Sequence, residues 1–167
     1  MTQEQIEEIL YKHELWLKKE KGGECANLNG ANLRNVDLTF ANLFMAEFCK
    51  ADLRRANLHR VNMMGSNLSN ANLSEADLCS ADLCGADLRN ANFYNADLRC
   101  ADLRNANLTG AQFIGADLSG ADLRGARFDN TLFYGADMCR AKMYKMAIDK
   151  TNFTEEQLDD IVVCVLN

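Results

Sequence analysis
The sequence predicts an all-β solenoid with a helical cap at each end, on three observations. From Ala26 onward the triplet Ala-(Asp/Asn)-Leu recurs every five residues without an insertion. Each large apolar residue, the centre of its repeat, follows a small residue two positions earlier, and both positions are almost free of charge. Eight of the ten glycines, Gly30 to Gly135, occupy the second position after a centre.

The period excludes the simpler folds. At about 100° per residue a five-residue step scatters successive centres around a helix instead of forming a stripe. In a flat strand an odd period puts successive centres on opposite faces. The chain must therefore bend once per repeat. Ala-Asp-Leu reads in-out-in as a short extended piece, and the next two residues make an outward corner where glycine supplies permissive dihedrals.

Three segments follow in order. Residues 1–25 form an amino-terminal cap and linker: Thr2 and Gln5 make a capping-box pattern, and Ile6, Ile9, Leu10, His13, Trp16 and Leu17 line one face. This predicts a helix over 2–21, stopped by Gly22. Residues 26–155 hold twenty-six repeats, with sixteen Leu, six Phe, three Met and one Ile as centres. Leu28, Leu53, Leu78, Leu98, Leu103, Leu118, Phe93, Phe113 and Phe133 are the expected core. Residues 156–167 form a carboxyl-terminal cap: Thr154 and Gln157 repeat the capping-box signal ahead of a short helix and an apolar tail. The tail, with Ile161, Val163 and Val165, either folds over the last coil or enters a homodimer interface.

The run ADLCSADLCGADLRNANFYNADLRCADLRNANLTGAQF resembles the pentapeptide repeat proteins, and the resemblance covers residues 26–155. It implies a right-handed quadrilateral β-helix with four repeats per coil and a core of stacked central side chains. Twenty-six repeats then make about 6.5 coils, roughly 31 Å of rod at the usual strand spacing. Only the two ends of such a rod expose unpaired backbone, so both need blocking.

With four repeats per coil, residues twenty apart stack on one face. Asp37, Asp77, Asp97, Asp117 and Asp137 then share a face, and Asp82, Asp102 and Asp122 the next, an acidic ladder interleaved with Arg99, Arg104, Arg124 and Arg140. Tyr94, Ile114 and Tyr134 stack on another outward column as a candidate protein-contact strip. Phe40, Phe44, Met45 and Met64 make a second apolar patch that the amino-terminal helix can cover. Arg34, Lys50, Arg54, Arg55, His59 and Arg60 form a small basic cluster near the start.

Composition narrows the function classes. The net charge of −6 sits in the end segments, leaving the repeats with 15 acidic against 14 basic residues. No basic footprint for direct nucleic-acid binding is present. No stretch reaches the roughly 20 apolar residues of a membrane helix, and MTQEQIEEIL lacks the pattern of a secretory signal, so the expected compartment is the cytoplasm. Seven cysteines without a CxxC pair, and two histidines away from any ligand spacing, predict reduced thiols, no metal and no cofactor. No converging set of nucleophile, acid and base is visible, so the chain is expected not to be an enzyme. The reading that follows is a non-catalytic structural or interaction scaffold presenting rigid faces to a protein partner. The alternative implied by the resemblance is a DNA mimic acting on a type II topoisomerase, DNA gyrase.

Overall fold
A computed structural model describes residues 1–144 and 153–155, together with the backbone of 162–164. It opens with helix α1, Gln3–Leu17. Thr2 caps it: the Thr2 hydroxyl oxygen accepts the Gln5 N–H at 3.3 Å, and Gln5 Oε1 accepts the Thr2 N–H at 2.9 Å.

The helix stops well before Gly22. Lys18 is the cap and Lys19 takes a left-handed φ of 58°. The Glu20 N–H then reaches Leu15 O at 2.9 Å and the Lys19 N–H reaches Trp16 O at 3.0 Å, the two bonds of a Schellman motif. The glycines serve the linker instead. A Cβ at Gly23 would lie 2.3 Å from the Trp16 backbone nitrogen, so only glycine lets the chain fold back against the last helical turn.

The solenoid follows. Twenty parallel bridges join each middle residue to the one twenty positions later, from Asn27↔Glu47 to Asp122↔Lys142, so four repeats make one coil. Each repeat bonds in both directions. Leu98 donates its N–H forward to Asp117 O at 2.7 Å, Asp97 donates backward to Ala76 O at 3.0 Å, and Ala101 closes the corner onto Leu98 O at 3.0 Å. Positive φ at the second corner residue alone is the signature of a type II turn.

All twenty-three described corners, from Gly30 to Arg140, share that positive φ, although fifteen carry a side chain. Six of those are Asn, which tolerates the left-handed region through its short polar side chain. At Phe40 and Arg55 no such help exists, and the bonds to neighbouring coils hold the conformation. Glycine therefore marks only a minority of the corners. At Gly115 a Cβ would also meet Asn95 Oδ1 of the preceding coil at 2.4 Å.

The centres fill the rod. Every centre from Leu28 to Met143 is buried, including Leu53, Leu78, Leu98, Leu103 and Leu118. Phe93 and Phe113 stack at 4.6 Å with rings 2° from parallel, and Phe133 continues the column at 5.2 Å. Ile6 of α1 joins this core, while Ile9 and Leu10 pack against it partly buried.

At the far end β1, Lys142–Tyr144, pairs in parallel with β2, Val162–Cys164, in the register Lys142↔Val162. The tail backbone thus keeps the twenty-residue step and lies on the last described coil. The expected short helix after Thr154, together with Ile148, Ile161, Val165 and the Val163 side chain, falls outside the described residues.

Candidate interaction surfaces
The outward face of each repeat is governed by its middle residue. An Asp or Asn there turns its side-chain oxygen onto the N–H two residues ahead, an Asx turn that fixes the entry to the corner. All eight carboxylates of the acidic ladder do this: Asp37, Asp77, Asp97, Asp117, Asp137, Asp82, Asp102 and Asp122 each accept a backbone N–H at 2.8–3.2 Å. Where Glu47 replaces the short side chain, the Cys49 N–H turns to Asn29 Oδ1 of the coil before, at 2.6 Å. An acidic or amide residue one position before most centres, Arg127, Leu132, Lys142 and Ala147 being the exceptions, was the available signal for this cap.

The ladder stacks as two columns, Asp77↔Asp97↔Asp117↔Asp137 and Asp82↔Asp102↔Asp122. Its charge is only partly open. Arg99 clamps Asp97 through Nε at 2.9 Å and Nη2 at 2.6 Å, and the same local fork joins Arg104 to Asp102 and Arg124 to Asp122. Hydrogen bonds from Arg99 and Arg104 hold Asp97 and Asp102 below the usual carboxylate range. Asp117 has Arg99 at 3.8 Å and Asp77 has His59 at 3.9 Å. The Thr39 hydroxyl donates to Asp37 and lowers its pKa.

The face carrying Tyr94 differs. Its middle residues run Asn32, Asp52, Asn72, Asn92, Gln112 and Leu132, so charge ends at Asp52. Tyr94 and Tyr134 are 48% and 57% exposed, with Ile114 half-buried between them. Ladder bonds from Asn95 to Ile114 O and from Gly115 to Tyr134 O, both 3.0 Å, place the three in one column. At the other end of that column Arg34 and Arg54 share Asp52 at 3.2 and 2.6 Å, and Arg55 pairs with Glu75 at 2.8 Å. The basic cluster is thus divided among local pairs, with Arg60 lying 5.9 Å over the Phe40 ring.

Helix α1 leaves the second apolar patch open. Phe40 is 64% and Met45 50% exposed, Met64 is exposed and Phe44 half-buried. The helix spends its inner face on the rod end instead, where buried His13 accepts the Ala26 N–H through Nδ1 at 3.0 Å and stacks on Trp16. No partner reaches His13 Nε2, and burial lowers the imidazole pKa. Among the described residues the six cysteines are free thiols, no cluster has metal-ligand composition, and no helix is long and apolar enough to cross a membrane.

Comparison with known proteins agrees with this geometry. The family model described as pentapeptide repeats matches in eight copies, over residues 24–44, 31–70, 71–110, 106–143 and 116–154. No curated protein matches. Among solved structures the chain is similar to HetL, a pentapeptide repeat protein involved in heterocyst differentiation regulation from the cyanobacterium Nostoc sp. strain PCC 7120. Identity is 36% and the TM-score 0.56, over 70% of this chain and 57% of HetL. The chain thus spans little more than half the length of HetL. A pentapeptide repeat protein from the Arabidopsis thaliana thylakoid lumen is 27% identical at a TM-score of 0.55, over 64% of this chain and 70% of that one. QnrB1, a plasmid-mediated fluoroquinolone resistance protein, is more distant, at 17% identity and a TM-score of 0.41 over 84% of each chain.

Proposed function
Because the chain belongs to the pentapeptide repeat family, we propose that it is a non-catalytic scaffold, a right-handed rod of about 6.5 coils that presents Tyr94, Ile114 and Tyr134 to a protein partner. Proteins of this family are generally structural or interaction proteins. The observation that carries the proposal is a contrast along the rod: every face carries at least one Asp–Arg fork, but on the tyrosine face it is Asp52–Arg54 near the start, and no middle residue beyond Asp52 is charged there. The stretch from Tyr94 to Tyr134, with uncharged middle residues and exposed aromatic rings, suits a protein contact, where aromatics are enriched and charge is depleted. Association of two copies through the carboxyl-terminal tail belongs to the same reading as a homodimer. The test is capture by wild type and by a Tyr94→Ser/Tyr134→Ser variant. A partner lost from the variant supports the strip, and a partner retained in full overturns it.

The second reading is a contact with a type II topoisomerase through the acidic columns, and one observation favours it. Among the described residues Asp37, Asp82 and Asp137 have no cation within 4.0 Å, so part of the ladder keeps its charge unpaired. A gyrase supercoiling assay with and without a quinolone separates the readings. Inhibition or drug protection that disappears on changing Asp97, Asp117 and Asp137 to Asn supports the mimic, and no effect of the wild-type protein removes it.

A further inference from the structure
The amino-terminal end of the rod is an unfinished sheet edge. In every later described coil the residue before the centre sends its N–H back to the preceding coil, as Asn62 does to Ala41 O and Asp82 to Val61 O, both at 2.9 Å. The first coil has nothing before it. The N–H groups of Asn27, Asn32, Asp37 and Asn42 make no hydrogen bond among the described residues. Carbonyls face the same way: Asn62 and Met64 accept from Leu43 and Met45 of the coil before, whereas Asn42 and Phe44 accept from none. Helix α1 covers this end with side chains and accepts the backbone donors of Glu24, at Lys12 O, and of Ala26, at His13 Nδ1, but none from the middle residues of the first coil.

On one flank the edge opens into a groove of about 610 Å³ between α1 and residues Ala41 and Asn42, walled by Leu10, Tyr11 and Leu17. Ala41 is only half-buried, while its counterparts Val61, Ala81, Ala101, Ala121 and Ala141 are at most 1% exposed. The exposed corners Phe40 and Met45 bracket the same face. Glu7 and Glu14 stand on the helix wall, and the one cation there, Lys18, already bonds Glu14 at 2.6 Å.

We propose that this edge is a docking site for an extended, basic peptide segment of a partner protein, added as a rung ahead of the first coil. An extended backbone is the one common structure that accepts from Asn42 and donates to the Asn42 and Phe44 carbonyls together. Apolar side chains on alternate positions enter the groove, and a basic one on the other positions meets Glu7, since Glu14 already bonds Lys18. The opposite end of the molecule shows such a rung in place, since β2 lays three residues on β1 in parallel. This site lies apart from the tyrosine column and does not depend on it.

The test is amide hydrogen exchange of the full chain with three blocked probes: an alternating Lys–Val hexapeptide, its Glu–Val counterpart, and a Lys–Val hexapeptide N-methylated on alternate residues. The expected result is about tenfold slower exchange at Asn42 with the first probe alone, weakened by salt and unchanged by Tyr134→Ser. No protection, equal protection by the Glu–Val probe, or protection that survives N-methylation overturns the proposal. Protection that rises with protein concentration without peptide, together with a doubled solution mass, also overturns it and assigns the edge to a second copy.

Discussion

The middle of the rod and its first coil are built from the same five-residue rule, yet they are held by different means. Around Leu98 the backbone bonds to the coil on either side, the corner closes within the repeat from Ala101 to Leu98 O, and the side chain is completely buried. Around Ala31 and Ala41 the same small positions are half-buried, and one histidine from a separate helix stands in for a missing coil. Repetition secures the interior of a solenoid, whereas each end depends on residues that occur once.

The sharpest way to break this contrast is to damage the interior. Leu98→Asp buries an unpaired carboxylate in a continuous stack, and a loss of about 4 kcal/mol or more is expected, seen as failure to fold or a collapsed thermal midpoint. An unchanged midpoint would contradict the inward assignment. A milder probe of the same interior is Gly115→Ala. Its Cβ would sit 2.4 Å from Asn95 Oδ1 and must also adopt positive φ, so a loss of about 2 kcal/mol is expected. Adding Asn95→Gly should recover part of it, because the clash goes while the dihedral cost at position 115 stays, and glycine accepts the positive φ of 52° at position 95.

These interior features were legible in the sequence because a strict period leaves one way for the chain to turn. The centres, the small partners and the twenty-residue stacking all follow from spacing and the family resemblance. What was not legible depends on contacts that spacing does not encode. The helix stop falls on Lys19 because a Schellman pair of bonds forms there, although Gly22 looked the better terminator. The ladder reads in sequence as acid interleaved with arginine, and the structure adds that each carboxylate also accepts a backbone N–H. The apolar tail left two dispositions open, and only the Lys142↔Val162 register places its backbone on the rod.

At the end of the rod the weak point is His13. Its Nδ1 accepts the Ala26 N–H, so the docked imidazole is neutral, and burial depresses its pKa below the usual 6.5. The groups facing the ring are the Trp16 indole and the Ala26 backbone, while Lys12 and Glu24 pair with each other. A depressed pKa means the undocked state binds the extra proton. The stability that His13 gives is therefore complete above about pH 6.5 and is lost as the pH falls through the lower, docked value. Trp16 is the sole tryptophan and stacks on this ring at 5.4 Å, so its fluorescence should titrate in that window while far-ultraviolet dichroism of the rod stays constant. The same titration in His13→Gln is expected to be flat. A persistent transition would place the sensitive group elsewhere.

The smallest effect expected is also the most useful for function. At the middle position Asp and Asn alternate freely along the chain, and both offer the same oxygen to the corner N–H, as Asn92 does to Tyr94 at 3.0 Å and Asp97 to Arg99 at 3.0 Å. Changing Asp97, Asp117 and Asp137 to Asn removes charge but keeps that bond, and exposed Arg–Asp pairs add little in water. The thermal midpoint should stay within about 2 °C of wild type. The Ala versions should fall further, because each leaves a corner N–H without its acceptor. If the Asn triple variant is as stable as wild type, any activity it loses is a property of the charge and not of the rod, which makes it the clean instrument for choosing between a tyrosine-faced scaffold and an acidic mimic.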